Sequence, residues 1–232
     1  MSRRGLREAR RYLLSGMALE LALALARRRP RGRVLAAVTA ATLFFFRDPE
    51  RRLSANEDEV YAPADGTVVG VDRVRDPWIP GEEATRVSTF LSLHNVHVTR
   101  SPVAGTVMAE ESIAGPFRPA FLPGAEENSR RRLAIEGSAG PVVVVQAAGL
   151  VARRIASWVA VGERLAAGQR LGLIHLGSRT DVLLPDGRAD TLVRPGQRVR
   201  AGETPIARYR RPAETALERG VHASSRGAEA TP

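Results

Sequence analysis

The sequence predicts a mainly β (α+β) protein, a compact barrel or sandwich of short strands preceded by N-terminal helices that associate with a membrane. Three observations predict it. After Arg52 the chain becomes a series of short Val-rich runs separated by Pro, Gly and Asp turns. No long amphipathic period competes with these runs, and their connections are too tight for parallel βαβ units. Before Arg52 lie two apolar stretches flanked by clusters of arginine.

The first stretch, Leu13 to Ala26, carries Glu20 near its middle, and the second, Val34 to Phe46, ends in Phe44, Phe45 and Phe46. Each is shorter than the ~20 residues a helix needs to cross a bilayer. A cleaved signal peptide fits poorly, because Glu20 interrupts the apolar region and Arg27, Arg28 and Arg29 follow it at once. The pair reads as helices lying in the cytoplasmic face of the cell membrane, peripheral or monotopic, held by anionic headgroups. The competing reading is two ordinary core helices.

Strands are expected over Val68 to Val74, Arg86 to Leu93, Gly105 to Ala109, Pro141 to Ala147, Val151 to Val159, Leu171 to Leu176 and Thr180 to Leu184. From Ala213 the chain is Ala, Glu, Arg, Ser and Thr with few large apolar residues, the composition of a frayed tail. The expected organisation is an anchoring segment (1–52), a folded domain (53–212) and a tail (213–232).

The chain also echoes itself. Ala62 to Val68 (APADGTV) repeats as Ser101 to Val107 (SPVAGTV), and Val161 to Gly168 (VGERLAAG) repeats as Pro195 to Gly202 (PGQRVRAG). Such paired half-motifs resemble the duplicated β hybrids related to lipoyl domains, which carry a modified lysine that this chain lacks. The echo therefore speaks to fold and says little about function.

Composition removes whole classes of chemistry. The 232 residues carry a formal charge of +10, and none of the 35 basic residues is lysine. Lysine Schiff-base enzymes, P-loop hydrolases and biotin or lipoate carriers are thereby excluded. The absence of cysteine removes disulfides, thiolate zinc sites, iron–sulfur clusters and cysteine nucleophiles. All-arginine basicity suits phosphate groups, and because the arginines sit beside apolar runs rather than among stacking aromatics, lipid is a better partner than nucleic acid.

Few residues remain for chemistry, and each alone has an ordinary reading. Asp65 before Gly66 makes a turn. Of the four histidines, His94 and His97 share the segment LHNVHV; three apart on a strand they point to opposite faces, so a single metal could not take both unless the backbone turns between them. Ser178 follows Gly177 between two β-like runs, and the glycine permits backbone geometries closed to other residues.

Together these signals form an ordered set. FFRDPER (45–51), PADG (63–66), HNVH (94–97), GPF (115–117) with Glu127-Asn128, and LGS (176–178) resemble the short-form phosphatidylserine decarboxylase proenzymes, over about residues 34 to 208. The resemblance implies a pyruvoyl enzyme that cuts itself between Gly177 and Ser178, giving a β subunit (1–177) and an α subunit (178–232) that remain a heterodimer. Ser178 becomes the pyruvoyl group. His97 matches the base that activates the Ser178 hydroxyl, Asp65 the carboxylate that orients it, and His94 a substrate or proton-donor role in decarboxylation. The pyruvoyl carbonyl would form a Schiff base with phosphatidylserine and yield phosphatidylethanolamine and CO2, with no metal and no external cofactor.

Two positions depart from the pattern: His175 stands where a basic Arg or an apolar residue is expected, and the Asn-Glu-Arg segment reads Asn128-Ser129-Arg130. Three other readings compete. An archaeal ether-lipid serine could be the substrate of the same mechanism. A zinc peptidase could use His94 or His97, Asp65 and His175, but it needs a His-x-His pair that the sequence does not supply. A non-enzymatic membrane adaptor leaves Asp65, the histidine pair and Ser178 without a reason to occur together.

Overall fold

A computed structural model describes residues 3–26, 32–53, 56–120, 122, 124–150, 154–175 and 178–210. Gly177, Leu176, the start of the 151–159 run and the 213–232 segment lie outside the described residues.

The N-terminal pair is helical, as α1 (Arg3–Leu25) and α2 (Arg33–Phe45). Helix α1 begins ten residues before its apolar run, because Gly5, Ala9, Tyr12 and Gly16 already place a stripe of inward residues at helical spacing. At Gly16 a Cβ would come within 2.7 Å of Val38, so only glycine lets the helices approach this closely. Glu20, which breaks the apolar run, earns its place structurally, since its carboxylate accepts the N–H groups of Gly32 (2.7 Å) and Leu35 (3.1 Å) and so caps α2 from outside. No described helix is long and apolar enough to cross a membrane.

The body holds strands β1 (Glu59–Tyr61), β2 (Gly66–Arg75), β3 (Glu83–Leu91), β4 (Val98–Arg100), β5 (Gly105–Ile113), β6 (Arg130–Gly137) and β7 (Pro141–Ala147). It continues with β8 (Ile155–Ser157), β9 (Arg164–Leu165), β10 (Arg170–Ile174), β11 (Ser178–Pro185), β12 (Ala189–Thr191), β13 (Arg198–Val199) and β14 (Pro205–Tyr209). An eight-stranded sheet runs β13-β2-β3-β11-β7-β6-β5-β9, and two three-stranded sheets run β1-β14-β12 and β4-β10-β8. Every described pairing is antiparallel, as tight turns require. Strand β6 is not among the strands expected from sequence: Arg131, Leu133 and Ile135 face inward with a charged residue at the first inward position.

The sequence echo is a structural repeat. Val68 N–H bonds the Gln197 carbonyl and Gly196 N–H returns to Val68; in the second copy Val107 N–H bonds Glu163 and Gly162 N–H returns to Val107. Gly202 N–H bonds Ala62 in one copy and Gly168 N–H bonds Ser101 in the other. Each copy also breaks register at the same place, between Val68 and Gly70 and between Val107 and Ala109. The two copies enclose the main core, in which Val68, Val87, Val107, Leu133, Val144, Leu171 and Ile206 are at most 1% exposed. A second cluster joins Ala9 and Phe46 of the helical region to Val96, Val98, Ala156 and Leu173, fixing the helices to the sheet β4-β10-β8.

Candidate active site

The segment between β3 and β4 turns, which frees its two histidines from strand geometry. Asn95 makes the turn: its Oδ1 accepts the Ser92 N–H (2.9 Å), and its own N–H bonds the Ser92 carbonyl (3.0 Å). Beyond it His97 is fully buried and His94 is exposed. The His97 Nδ1 lies 2.9 Å from the Asn95 carbonyl, which can only accept, so Nδ1 carries the proton and Nε2 keeps a free lone pair. That Nε2 is buried and has no hydrogen-bond partner among the described residues. Burial, with the Asn95 bond opposing it and the charges of Arg47 and His175 adding to it, lowers the pKa of His97 to about 4. The ring is a neutral base at ordinary pH, packed 4.3 Å from the ring of Phe45.

Ser178 opens β11, opposite Leu91 of β3, and is likewise fully buried. Its hydroxyl also lacks a partner. Two residues on, Thr180 carries another buried, unpartnered hydroxyl; it pairs in the ladder with Gln146, which pairs with Arg131. Gln146 receives the Arg131 guanidinium (3.1 Å) and donates to Thr99 (2.5 Å). Buried polar groups are ordinarily satisfied, so this strip stands out as a place made for something other than packing.

Asp65 is held by Arg51 and by the backbone. Its carboxylate takes both bonds from Arg51 (2.7 and 2.8 Å) and a third from the Ala201 N–H (2.8 Å), and no hydrogen bond joins it to His97. The orienting group of His97 is therefore the backbone of Asn95, which no sequence motif could announce. Arg51 stands in the motif string, but its residue type alone gives no hint of this role. The rest of that string is also engaged. Asp48, with a side chain fully buried, bridges Arg100 (2.9 Å) and Arg170 (2.6 Å); Glu50 adds a second contact to Arg170 (3.2 Å). Arg47 donates to the carbonyls of Phe44 (2.7 Å) and His94 and lies 4.1 Å over the Phe44 ring.

His94 contacts Ser92 Oγ at 3.2 Å and lines a cavity of about 590 Å³ between α1 and α2, whose other walls include Leu19, Val38, Phe44 and Leu93. His175 meets α1, where its Nδ1 lies 3.1 Å from the Tyr12 hydroxyl. Among the described residues no three His, Asp or Glu side chains are grouped so as to hold a metal ion.

Known proteins resemble the chain over most of its length. The family model for phosphatidylserine decarboxylase matches residues 38–207. A phosphatidylserine decarboxylase proenzyme of Symbiobacterium thermophilum is 48% identical over 179 residues, 76% of this chain and 83% of that protein. One from Streptomyces griseus is 44% identical over 216 residues, 89% of this chain and 96% of that protein. A third, from Nitrosomonas eutropha, is 45% identical over 175 residues, 75% of this chain and 80% of that protein.

Proposed function

Since the chain belongs to the phosphatidylserine decarboxylase family, and so is a carboxy-lyase made as a proenzyme, we propose that it matures by cutting itself between Gly177 and Ser178 with His97 as the base. One observation carries the reading: the Ser178 hydroxyl and the His97 Nε2 are both buried and both left without a partner. A hydroxyl with a pKa far above neutrality needs a base to become a nucleophile, and the Nδ1 bond to Asn95 leaves Nε2 as the nitrogen able to serve.

The Ser178 Oγ attacks the Gly177 carbonyl while Nε2 takes its proton and then returns it to the departing Ser178 amine, converting the amide to an ester. Removal of the Ser178 α-proton expels the Gly177 carboxylate as the C-terminus of the β subunit, 1–177. The dehydroalanine left on the α subunit, 178–232, takes up water and loses ammonia, leaving a pyruvoyl group. Residues present fit that group, since the buried Thr180 hydroxyl and the Arg131 Nη2, both unpartnered, offer polar contacts on the same strip. A pyruvoyl carbonyl supplies an electrophile for the substrate amine and a sink for the electrons left by CO2. His94, exposed at the cavity and steadied by Ser92, is placed to hold the headgroup or hand a proton to carbon.

Asp65 with Arg51 serves this reading as the clamp that docks the 47–51 string beside the base. The two sequence copies are read as a duplicated β unit of the lipoyl-like kind. We also place the enzyme on the cytoplasmic face of the cell membrane, as a peripheral or monotopic protein. Leu14, Met17, Leu21 and Leu25 of α1 and Leu43 and Phe44 of α2 are about half exposed or more, an apolar face beside arginines that suits an anionic lipid surface. Intact-mass measurement tests the self-cleavage reading. Wild-type protein should give two fragments, the 178–232 piece beginning in pyruvoyl, and Ser178→Ala should stay whole; an uncut wild-type chain with an ordinary serine ends it.

A further inference from the structure

His175 is one of the two departures from the family pattern, and the structure gives it partners on a helix that lies outside the matched residues 38–207. Its ring is fully buried among Tyr12, Phe45 and Phe46, with centroids 6.0, 6.5 and 5.7 Å away. Both ring nitrogens meet α1: Nδ1 contacts the Tyr12 hydroxyl at 3.1 Å, and Nε2 lies 3.6 Å from Glu8 Oε2. Glu8 also pairs with Arg154 at 3.4 Å, and the Arg154 carbonyl accepts the His175 N–H at 3.1 Å, so one carboxylate holds both sides of the segment.

The segment so held is the one that leads into the cut. Ile174 donates its N–H to the His97 carbonyl (3.1 Å), and Ser178 comes three residues after His175. Phe45 packs on the ring of His97 and on that of His175. A shift at His175 is therefore passed to the nucleophile along the chain and to the base through Ile174 and Phe45. Cleavage within a chain depends on placing an oxygen against a carbonyl, and misplacement by about 1 Å costs on the order of 100-fold in rate.

We propose that Glu8 and Tyr12 of α1 are positioning residues for self-cleavage, acting through His175 to hold the chain entering Ser178, so that the precursor cuts itself once α1 has docked. The inference rests on the reading of Gly177–Ser178 as the cleavage site. From Leu14 on, the exposed residues of α1 are apolar apart from Ser15, so the helix read as meeting the lipid surface is also the one that sets the cutting geometry.

The test follows release of the 178–232 fragment with time after synthesis of the full chain. Tyr12→Phe and Glu8→Gln should each slow cleavage about tenfold and His175→Ala about 100-fold. His175→Asn keeps a polar atom facing Tyr12 and His175→Gln one facing Glu8, so each should recover part of the rate, a rescue that simple filling of space would not give. Adding Tyr12→Phe to His175→Ala should cost nothing more. Melting of the same variants on a Ser178→Ala background separates loss of fold from loss of rate, and the Asn and Gln variants carry the test if His175→Ala melts early. Single variants that cut at the wild-type rate overturn the proposal, as does Tyr12→Phe slowing the His175→Ala chain as much as it slows wild type. An uncut wild-type chain instead removes the cleavage reading beneath it.

Discussion

The string at 47–51 and the centre around Ser178 are both polar, yet they are built on different rules. In the string the charges are paired, Asp48 with two arginines and Arg51 with Asp65, and Arg47 bonds two carbonyls, although the Nε of Arg51 and that of Arg100 are buried without a partner. At the centre the decisive atoms, Ser178 Oγ and His97 Nε2, have nothing. An unpaired buried polar atom costs roughly 1–3 kcal/mol; the unpaired Nε of Arg51 and of Arg100 belongs to a guanidinium held by its other nitrogens, whereas the unpaired atoms of Ser178 and His97 are the hydroxyl and the lone pair that a reaction would use. The contrast teaches where to look for chemistry: among the atoms without partners.

The strongest way to break this contrast is to remove the base. His97→Gln should slow self-cleavage by at least about 1,000-fold, followed by gel or mass; because it also removes the Nδ1 bond to Asn95 and the packing on Phe45, melting on a Ser178→Ala background separates loss of rate from loss of fold. A His97→Gln chain that cuts at the wild-type rate would place the base elsewhere.

The string should respond the other way. Asp48→Asn leaves Arg100 buried beside a neutral amide, and burial already lowers that guanidinium's pKa against the pull of Asp48. Breaking such a pair costs about 3–5 kcal/mol. Urea unfolding on a Ser178→Ala background should show that loss, and whatever fraction of the chain folds should still cut.

Acid sharpens the comparison, because it charges an atom that has no partner. The His97 pKa falls from about 6.5 in the unfolded chain to about 4 in the folded one. Between these values the unfolded chain binds a proton that the folded chain refuses, so stability falls as pH drops from 6.5 to 4; above 6.5 both forms are neutral and the group contributes nothing. The full effect is roughly 3 kcal/mol. Comparing Ser178→Ala with Ser178→Ala/His97→Gln at pH 7 and pH 4.5 isolates it, and equal pH slopes would show that His97 does not titrate as its burial dictates. Cleavage itself should be flat from pH 6 to 8.

How much of this is legible in the sequence follows from what each part is made of. Ser178, His97, His94 and Asp65 stand out as residue types in an ordered set, and the Gly-turn echo shows the repeat without its hydrogen bonds. The group that orients His97 is a backbone carbonyl, and every residue has one, so Asn95 carries no signal. Glu20 looks like an interruption because its partners are the N–H groups of a second helix. Strand β6 is hidden because its inward alternation begins with Arg131, a charge that reads as surface until Glu110 and Gln146 are seen beside it.

The smallest effect asks whether burial, rather than mere pairing, gives the 47–51 string its value. Asp190 and Arg210 form an ion pair of 2.6 Å, as short as that between Asp48 and Arg170, but their side chains are 57% and 28% exposed whereas that of Asp48 is 0% exposed. Water solvates each partner once the other is gone, and pairs of this kind contribute about 0–1 kcal/mol. Asp190→Asn should therefore shift the urea midpoint hardly at all and leave cleavage untouched. If it cost as much as Asp48→Asn, pairing alone would set the energy, and the distinction between a satisfied frame and an unsatisfied centre would have to be drawn by something other than access to water.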